Sequence, residues 1–200
     1  MNESEYLNQD QEEILKELIN ISFGLAASLI GDMLSSYTHL NVPNIEIVNI
    51  NDLDKIAKQK MKKNSKFYIS KQRFAGHFNG ETMFIIDNNS ARIFTTLLLG
   101  GDNNLQESEL KQPILELTNI ITSACIGKLC EIIGSETIFS VPTIEQQSAI
   151  TTNNNNQIYD NIIVIETILE LEKENISGHM FILLTRQELN KLKDKLDALQ

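Results

Sequence analysis

Two hundred residues, 42% of them apolar, suffice for one sizeable core or two small halves. With 17 basic against 27 acidic residues the net charge is −10, which argues against nucleic acid and against an anionic membrane, both of which want a basic surface. The opening MNESEYLNQD lacks a basic stretch followed by an apolar run, and no uninterrupted apolar stretch approaches the ~18–20 residues of a membrane span, so a cytoplasmic protein is expected.

In chain order, periodicity predicts a helix over about residues 5–36, then Val42-Pro43 and a strand over the alternating NIEIVNI (44–50). KIAKQKMKKNSK (55–66), with its six lysines, reads as a solvated loop or short helix. KFYISKQRF (66–74) and ETMFII (81–86) are predicted strands around a turn flanked by Gly76 and Gly80. NNSARIFTTLLL (88–99) is a helix with Asn or Ser as cap, stopped by Gly100-Gly101.

The same order then returns. A helix is expected over about 113–133, opened by Pro113 in its first turn, with strands near TIEQQSAI (143–150), IIVIETILEL (162–171) and HMFILL (179–184) and a closing helix in RQELNKLKDKLDALQ. TTNNNNQ (151–157) reads as a hairpin loop. Cys125 and Cys130 point to different sides of the second long helix, so two buried thiols are expected and no bridge, which suits a reducing compartment. The chain is thus a helix–strand–strand–strand–helix unit written twice, over about 5–100 and 105–200. That predicts one α+β domain over 1–200 with pseudo-twofold symmetry and a mostly antiparallel sheet packed by helices.

The repeat is sharpest in the long helices. ELINISFGLAASLIGDMLSSYTHLNVP (17–43) and ELTNIITSACIGKLCEIIGSETIFSVP (116–142) share Glu, Asn three positions on, and Val-Pro after the same interval. On a helical wheel, Ile14, Leu18, Ile21, Leu25 and Leu29 form an apolar arc widened by Leu15, Ile19, Ala26 and Ile30. Nearly opposite runs a stripe of Glu13, Glu17, Asn20, Gly24, Ser28 and Gly31, matched in the second helix by Gln112, Glu116, Asn119, Ser123 and Gly127.

Asn, Ser and Gly sacrifice up to ~1 kcal/mol each of helix propensity relative to Ala. Two readings follow: small residues let the two helices pack closely, or they form a flat docking face into which Glu and Asn project. An Asn amide does not titrate, so it is no general base, but it can fix the position of a water. Positioning is a catalytic contribution in its own right, and phosphoryl transfer relies on it. A Glu supplies a counter-charge for a partner's Lys or Arg.

Glu-x-x-Asn-x22-Pro, present twice as Glu17/Asn20/Pro43 and Glu116/Asn119/Pro142, resembles the CheC / CheX / FliY family of chemotaxis phosphatases. The two intact pairs favour a two-site, CheC-like member. The resemblance implies hydrolysis of the aspartyl phosphate of a CheY-type response regulator, with Asn20 and Asn119 orienting the attacking water and Glu17 and Glu116 engaging a regulator lysine. It implies that the magnesium belongs to the regulator, that the chain carries no metal or other cofactor of its own, and that a CheD-type deamidase is a further partner. Glu13, Gly24, Ser28, Gln112, Ser123 and Gly127 would then dock the regulator. The family usually has Asp or Ser where this chain has Glu13 and Gln112, and Gly where it has Ser123. The alternative is a module that docks the regulator or the deamidase with little or no turnover. His39, His77 and His179 lack metal-ligand spacing, and Gly100-Gly101-Asp102 lacks the Lys of a phosphate-binding loop.

Overall fold

The computed structural model describes residues 6–35, 38–53, 55–56, 66–101, 105–147, 161–171 and 174–199, and of 40–45, 161, 162, 164–171, 174, 175 and 177 it describes the backbone alone. The elements run α1 (Gln9–Leu34), β1 (Thr38–Asn49), a 3-10 turn (Ile50–Asp52), β2 (Phe67–Gly76), β3 (Gly80–Asp87) and α2 (Asn88–Leu98). A 3-10 turn (Glu107–Leu110) then leads into α3 (Lys111–Ile132), β4 (Thr137–Phe139), β5 (Thr143–Gln147), β6 (Asn161–Leu171), β7 (Glu174–Leu184) and α4 (Arg186–Asp197).

The strands form one seven-stranded sheet in the order β1-β6-β7-β3-β2, with β4 and β5 both paired to the far edge of β2. Every pairing among the described residues is antiparallel. The first strand of each repeat therefore pairs with the second strand of the other, and the order reads the same from either edge. This exchange joins the strands of both halves of the chain into one sheet.

The first strands are the sheet's edges, which is where proline is tolerated. Pro43 falls at the register shift between Asn41 and Asn44 in β1, and Pro142 lies in the break between β4 and β5. β1 thus starts before its Val-Pro rather than after it, and β4 is a short extra strand the periodicity did not predict.

Alternation along the central strands divides the core. Tyr68, Ser70, Gln72 and Phe74 on β2, and Thr82, Phe84 and Ile86 on β3, point toward the helices; all are buried. Phe67, Ile69, Met83, Ile85, Phe181 and Leu183 point the other way and close over Leu53, which follows the first 3-10 turn. On the helical side α1 and α3 pack against each other, with α2 and α4 beside them. α1 is long and apolar enough to cross a membrane by length and composition alone, but Leu15, Ile19, Phe23, Ala26 and Ile30 are spent on the core.

Helix ends follow their sequence signals. Asn8 and Gln11 make a reciprocal capping box at the start of α1, Asp87 accepts from two amides at the start of α2, and Thr185 caps α4. Gly100 and Gly101, at φ of 81° and 100°, follow α2 in a conformation that side chains resist.

Candidate functional site

The two carboxylate–amide pairs sit on the two packed helices, the first wholly exposed and the second with its carboxylate exposed and its amide half-buried. On α1, Glu13, Glu17, Asn20, Gly24 and Ser28 are all exposed. Glu13 accepts a hydrogen bond from Gln9 at 3.1 Å, one turn earlier. The side chain of Asn20 has no hydrogen-bond partner among the described residues. Farther along the stripe, Gly24, Ser28 and Gly31 border an open depression of about 700 Å³ that continues to Ser35 and His39.

The apolar arc expected on α1 is displaced. Ile21, Leu25 and Leu29 keep 44%, 45% and 44% of their surface in solvent, beside the polar stripe rather than in the core. The buried face is centred instead on Leu15, Ile19, Phe23, Ala26 and Ile30, and it also takes in Gln11, Ser22 and Ala27. Gln11 is accommodated there because its Nε2 donates to Asp197 Oδ1 at 2.7 Å, tying the start of α1 to the end of α4. The outer face of α1 is therefore half polar and half greasy.

On α3, Gln112 and Glu116 are exposed, while Asn119, Ser123 and Gly127 are half-buried. The Ser123 hydroxyl turns back to its own helix and donates to the Asn119 carbonyl at 2.6 Å, so it is not presented to a partner. Gly127 faces Phe139, and a methyl group there would still stand 4.0 Å from the end of that ring. The flat stripe expected at these two positions is thus partly used inside the fold.

Asn119 differs from Asn20 in its surroundings. Its Oδ1 accepts from Gln72 Nε2 at 2.9 Å, and the same nitrogen donates to the Ser140 carbonyl at 2.9 Å. Ser140 is itself stitched to β2, its amide donating to the Arg73 carbonyl at 3.0 Å and its hydroxyl accepting from the Arg73 amide at 3.0 Å. That places the Ser140–Pro142 segment alongside α3. Gln112, Leu115, Glu116 and Asn119 on one side and Phe139, Val141 and Pro142 on the other enclose a cleft of about 380 Å³. A buried bond between the Thr82 and Thr122 hydroxyls, 2.9 Å long, holds the next turn of α3 to β3.

The sequence reading missed Gln72. The available signal was position: in KFYISKQRF, alternation puts Gln72 on the same side as Tyr68 and Phe74, and a polar residue facing a core needs a partner.

Other candidates separate from these pairs. Among the described residues no group of three or more His, Cys, Asp and Glu side chains could hold a metal ion. Cys125 and Cys130 are buried and unbridged, and burial pushes their thiols up, to about 12 and about 11. Of the lysine-rich run, residues 57–65 lie outside the described residues, as does the TTNNNNQ stretch; Lys66 pairs with Glu107 at 2.8 Å on the surface. What the site offers chemically is two neutral amides, each one helical turn from a carboxylate, on one side of the molecule. It can position, and it can pair with positive charge.

No family model matches the sequence. Known structures do match the fold. FliY of Thermotoga maritima superposes with a TM-score of 0.77 at 16% identity, over 97% of this chain and 99% of that one. The middle domain of FliM from H. pylori gives 0.63 at 13% identity, over 94% and 99%, and a FliG–FliM complex from the same organism also matches. CheX of Desulfovibrio desulfuricans gives 0.51 at 14% identity, over 83% and 99%. The chain has the CheC-like fold these proteins share, as the repeated motif led one to expect.

Proposed function

We propose that this chain, built on the fold of FliY and CheX, hydrolyses the aspartyl phosphate of a CheY-type response regulator in the cytoplasm. The observation that carries the reading is the pair of Glu-x-x-Asn motifs on adjacent helices of that fold, with Glu17, Asn20 and Glu116 exposed and Asn119 lining a cleft. Asn20 and Asn119 orient the attacking water, and Glu17 and Glu116 anchor a lysine of the receiver. The receiver brings the phosphate and its magnesium, so this protein contributes geometry rather than a base or a metal.

The test is steady-state phosphate release against the concentration of a phosphorylated receiver. Replacing both Asn20 and Asn119 with Ala should lower turnover by about 10²–10³-fold, as losing one positioned polar group does in other active sites. Affinity should change little, because the lost contact matters mainly in the transition state. Glu17→Ala with Glu116→Ala should weaken binding as well, most at low salt. Full turnover in the double Asn variant overturns the assignment.

A second reading is favoured by the exposed apolar residues Ile21, Leu25 and Leu29 and by the FliM middle domains, one of them in complex with FliG, that share the fold. In it, α1 docks the regulator or a CheD-type deamidase without turnover. Retained receiver binding with no phosphate release above the receiver's own rate would select it.

A further inference from the structure

Gln72 and Ser140 together fix which end of the Asn119 amide faces the cleft. A backbone carbonyl only accepts, so the Gln72 group 2.9 Å from the Ser140 oxygen is its NH2. The same nitrogen is 2.9 Å from the Asn119 side chain, which must therefore turn its oxygen inward and its own NH2 outward. Rotating the Gln72 amide by half a turn would set oxygen against oxygen at Ser140. The arrangement even leaves the Gln72 Oε1 buried without a hydrogen-bond partner among the described residues.

Among the described residues no such brace reaches Asn20. Gln72 pairs across the ladder with Thr82. A shift of 98 residues, which carries Gly80 onto Gly178, carries Thr82 onto Met180, and Met180 pairs with Ile165. The sequence has an aliphatic residue where the first site would need an amide.

We propose that Gln72 is a positioning residue for the Asn119 site: it locks that amide with its NH2 toward the cleft and makes this the pre-organised site of the two. The Asn20 site, lacking it, orders its amide only on engagement. This rests on the phosphatase reading for its effect on turnover, but the locked orientation stands on geometry alone.

Two experiments test it. In the wild-type protein, 15N relaxation of the side-chain amides, assigned from Asn20→Ala and Asn119→Ala, should give Asn119 an order parameter near that of rigid backbone, about 0.85, and Asn20 one below about 0.6. Equal mobility overturns the proposal, and this arm requires no altered Gln72. In the Asn20→Ala background, where only the second site reports, Gln72→Met should lower kcat about tenfold with KM for the phosphorylated receiver within twofold. A lower melting temperature with unchanged kcat would make Gln72 merely structural and overturn the proposal. If the double Asn variant keeps full turnover, the phosphatase reading falls by itself, and the relaxation result still decides whether Asn119 is locked.

Discussion

Met83 on β3 and Phe181 on β7 are directly paired, and each is the other's counterpart in the repeat, since 181 − 83 equals the 178 − 80 that separates the two strand glycines. The same shift carries the helix cap Asp87 onto Thr185. The pseudo-twofold axis thus passes through this pair, on the side of the sheet away from the site helices.

Because the two side chains meet at the axis, their contributions should be coupled. Met83→Ala should cost about 2–5 kcal/mol and Phe181→Ala about 3–5 kcal/mol. The double variant should depart from additivity by roughly 0.5–3 kcal/mol. Urea unfolding of the four proteins measures this, and strict additivity would show that the pair is adjacent without being packed.

Two glycines should respond in opposite directions. Gly24 is exposed in mid-helix with open space around it, so Gly24→Ala should stabilise by about 0.5–1 kcal/mol. A methyl group on Gly80 would come within 2.6 Å of the Phe74 ring and 2.7 Å of the Leu183 carbonyl, so Gly80→Ala should destabilise by about 1–3 kcal/mol. If α1 docks a receiver closely, the more stable Gly24→Ala protein should also bind it more weakly. Calorimetric unfolding and a receiver titration on one preparation read both effects.

The buried thiols predict an alkaline limit. Unfolded thiols ionise near about 8.5. In the fold, burial and the neighbouring Cys130 hold Cys125 near about 12, and burial, partly opposed by a hydrogen bond with Thr137, holds Cys130 near about 11. The folded values are raised, so the associated stability is complete below about 8.5 and is lost as pH rises toward the folded values. Stability measured from pH 8 to 10 should fall, and less steeply after Cys125→Ala. Thiol reagents at pH 8 should label at the rate of unfolding; fast labelling of the native protein would contradict the burial.

Glu188 sets the acid limit. Burial raises its carboxyl, but the Asn79 amide at 2.8 Å, Lys191 at 3.0 Å and the Asn79 side chain at 3.3 Å outweigh this and hold it below the ordinary carboxylate range. Its contribution is therefore present above about pH 4.3 and lost as pH falls through the lowered folded value. Glu188→Gln should cost about 1–2 kcal/mol at pH 7, with the gap to wild type closing in acid. A gap independent of pH would mean that shape, not charge, holds Asn79.

The sequence made the repeat legible because it is written in chemistry that packing does not require: Glu17 with Asn20, and Glu116 with Asn119. The strand exchange was not legible. A hydrophobic alternation says which face of β1 is buried, but nothing in it distinguishes β6 as a partner from β2. The rotation of α1 was missed for a related reason. Ser22, Ala27 and Gln11 weigh little on an apolar wheel yet go inward, because a neighbouring helix needs small residues and a bonded amide there, and Ile21 and Leu25 are left outside. Gln72 escaped notice because its meaning lies in Ser140 and Asn119, neither of them near it in the chain.

The exchange of first strands has a consequence for a chain that grows from its N-terminus. β1 pairs Asn49 with Asn161 and Thr38 with Leu171, so its partner is 112 (161 − 49) to 133 (171 − 38) residues further along. At about 5–20 residues per second of synthesis, that strand waits on the order of 6–27 s on the ribosome before its ladder partner β6 has been made. Through that interval β2 and β3 have each other, but the NIEIVNI run, with α1 beside it, has no strand to pair with and is the segment most open to a wrong one. A nascent chain of this design has to be guarded at β1, and crowded expression should fail there first.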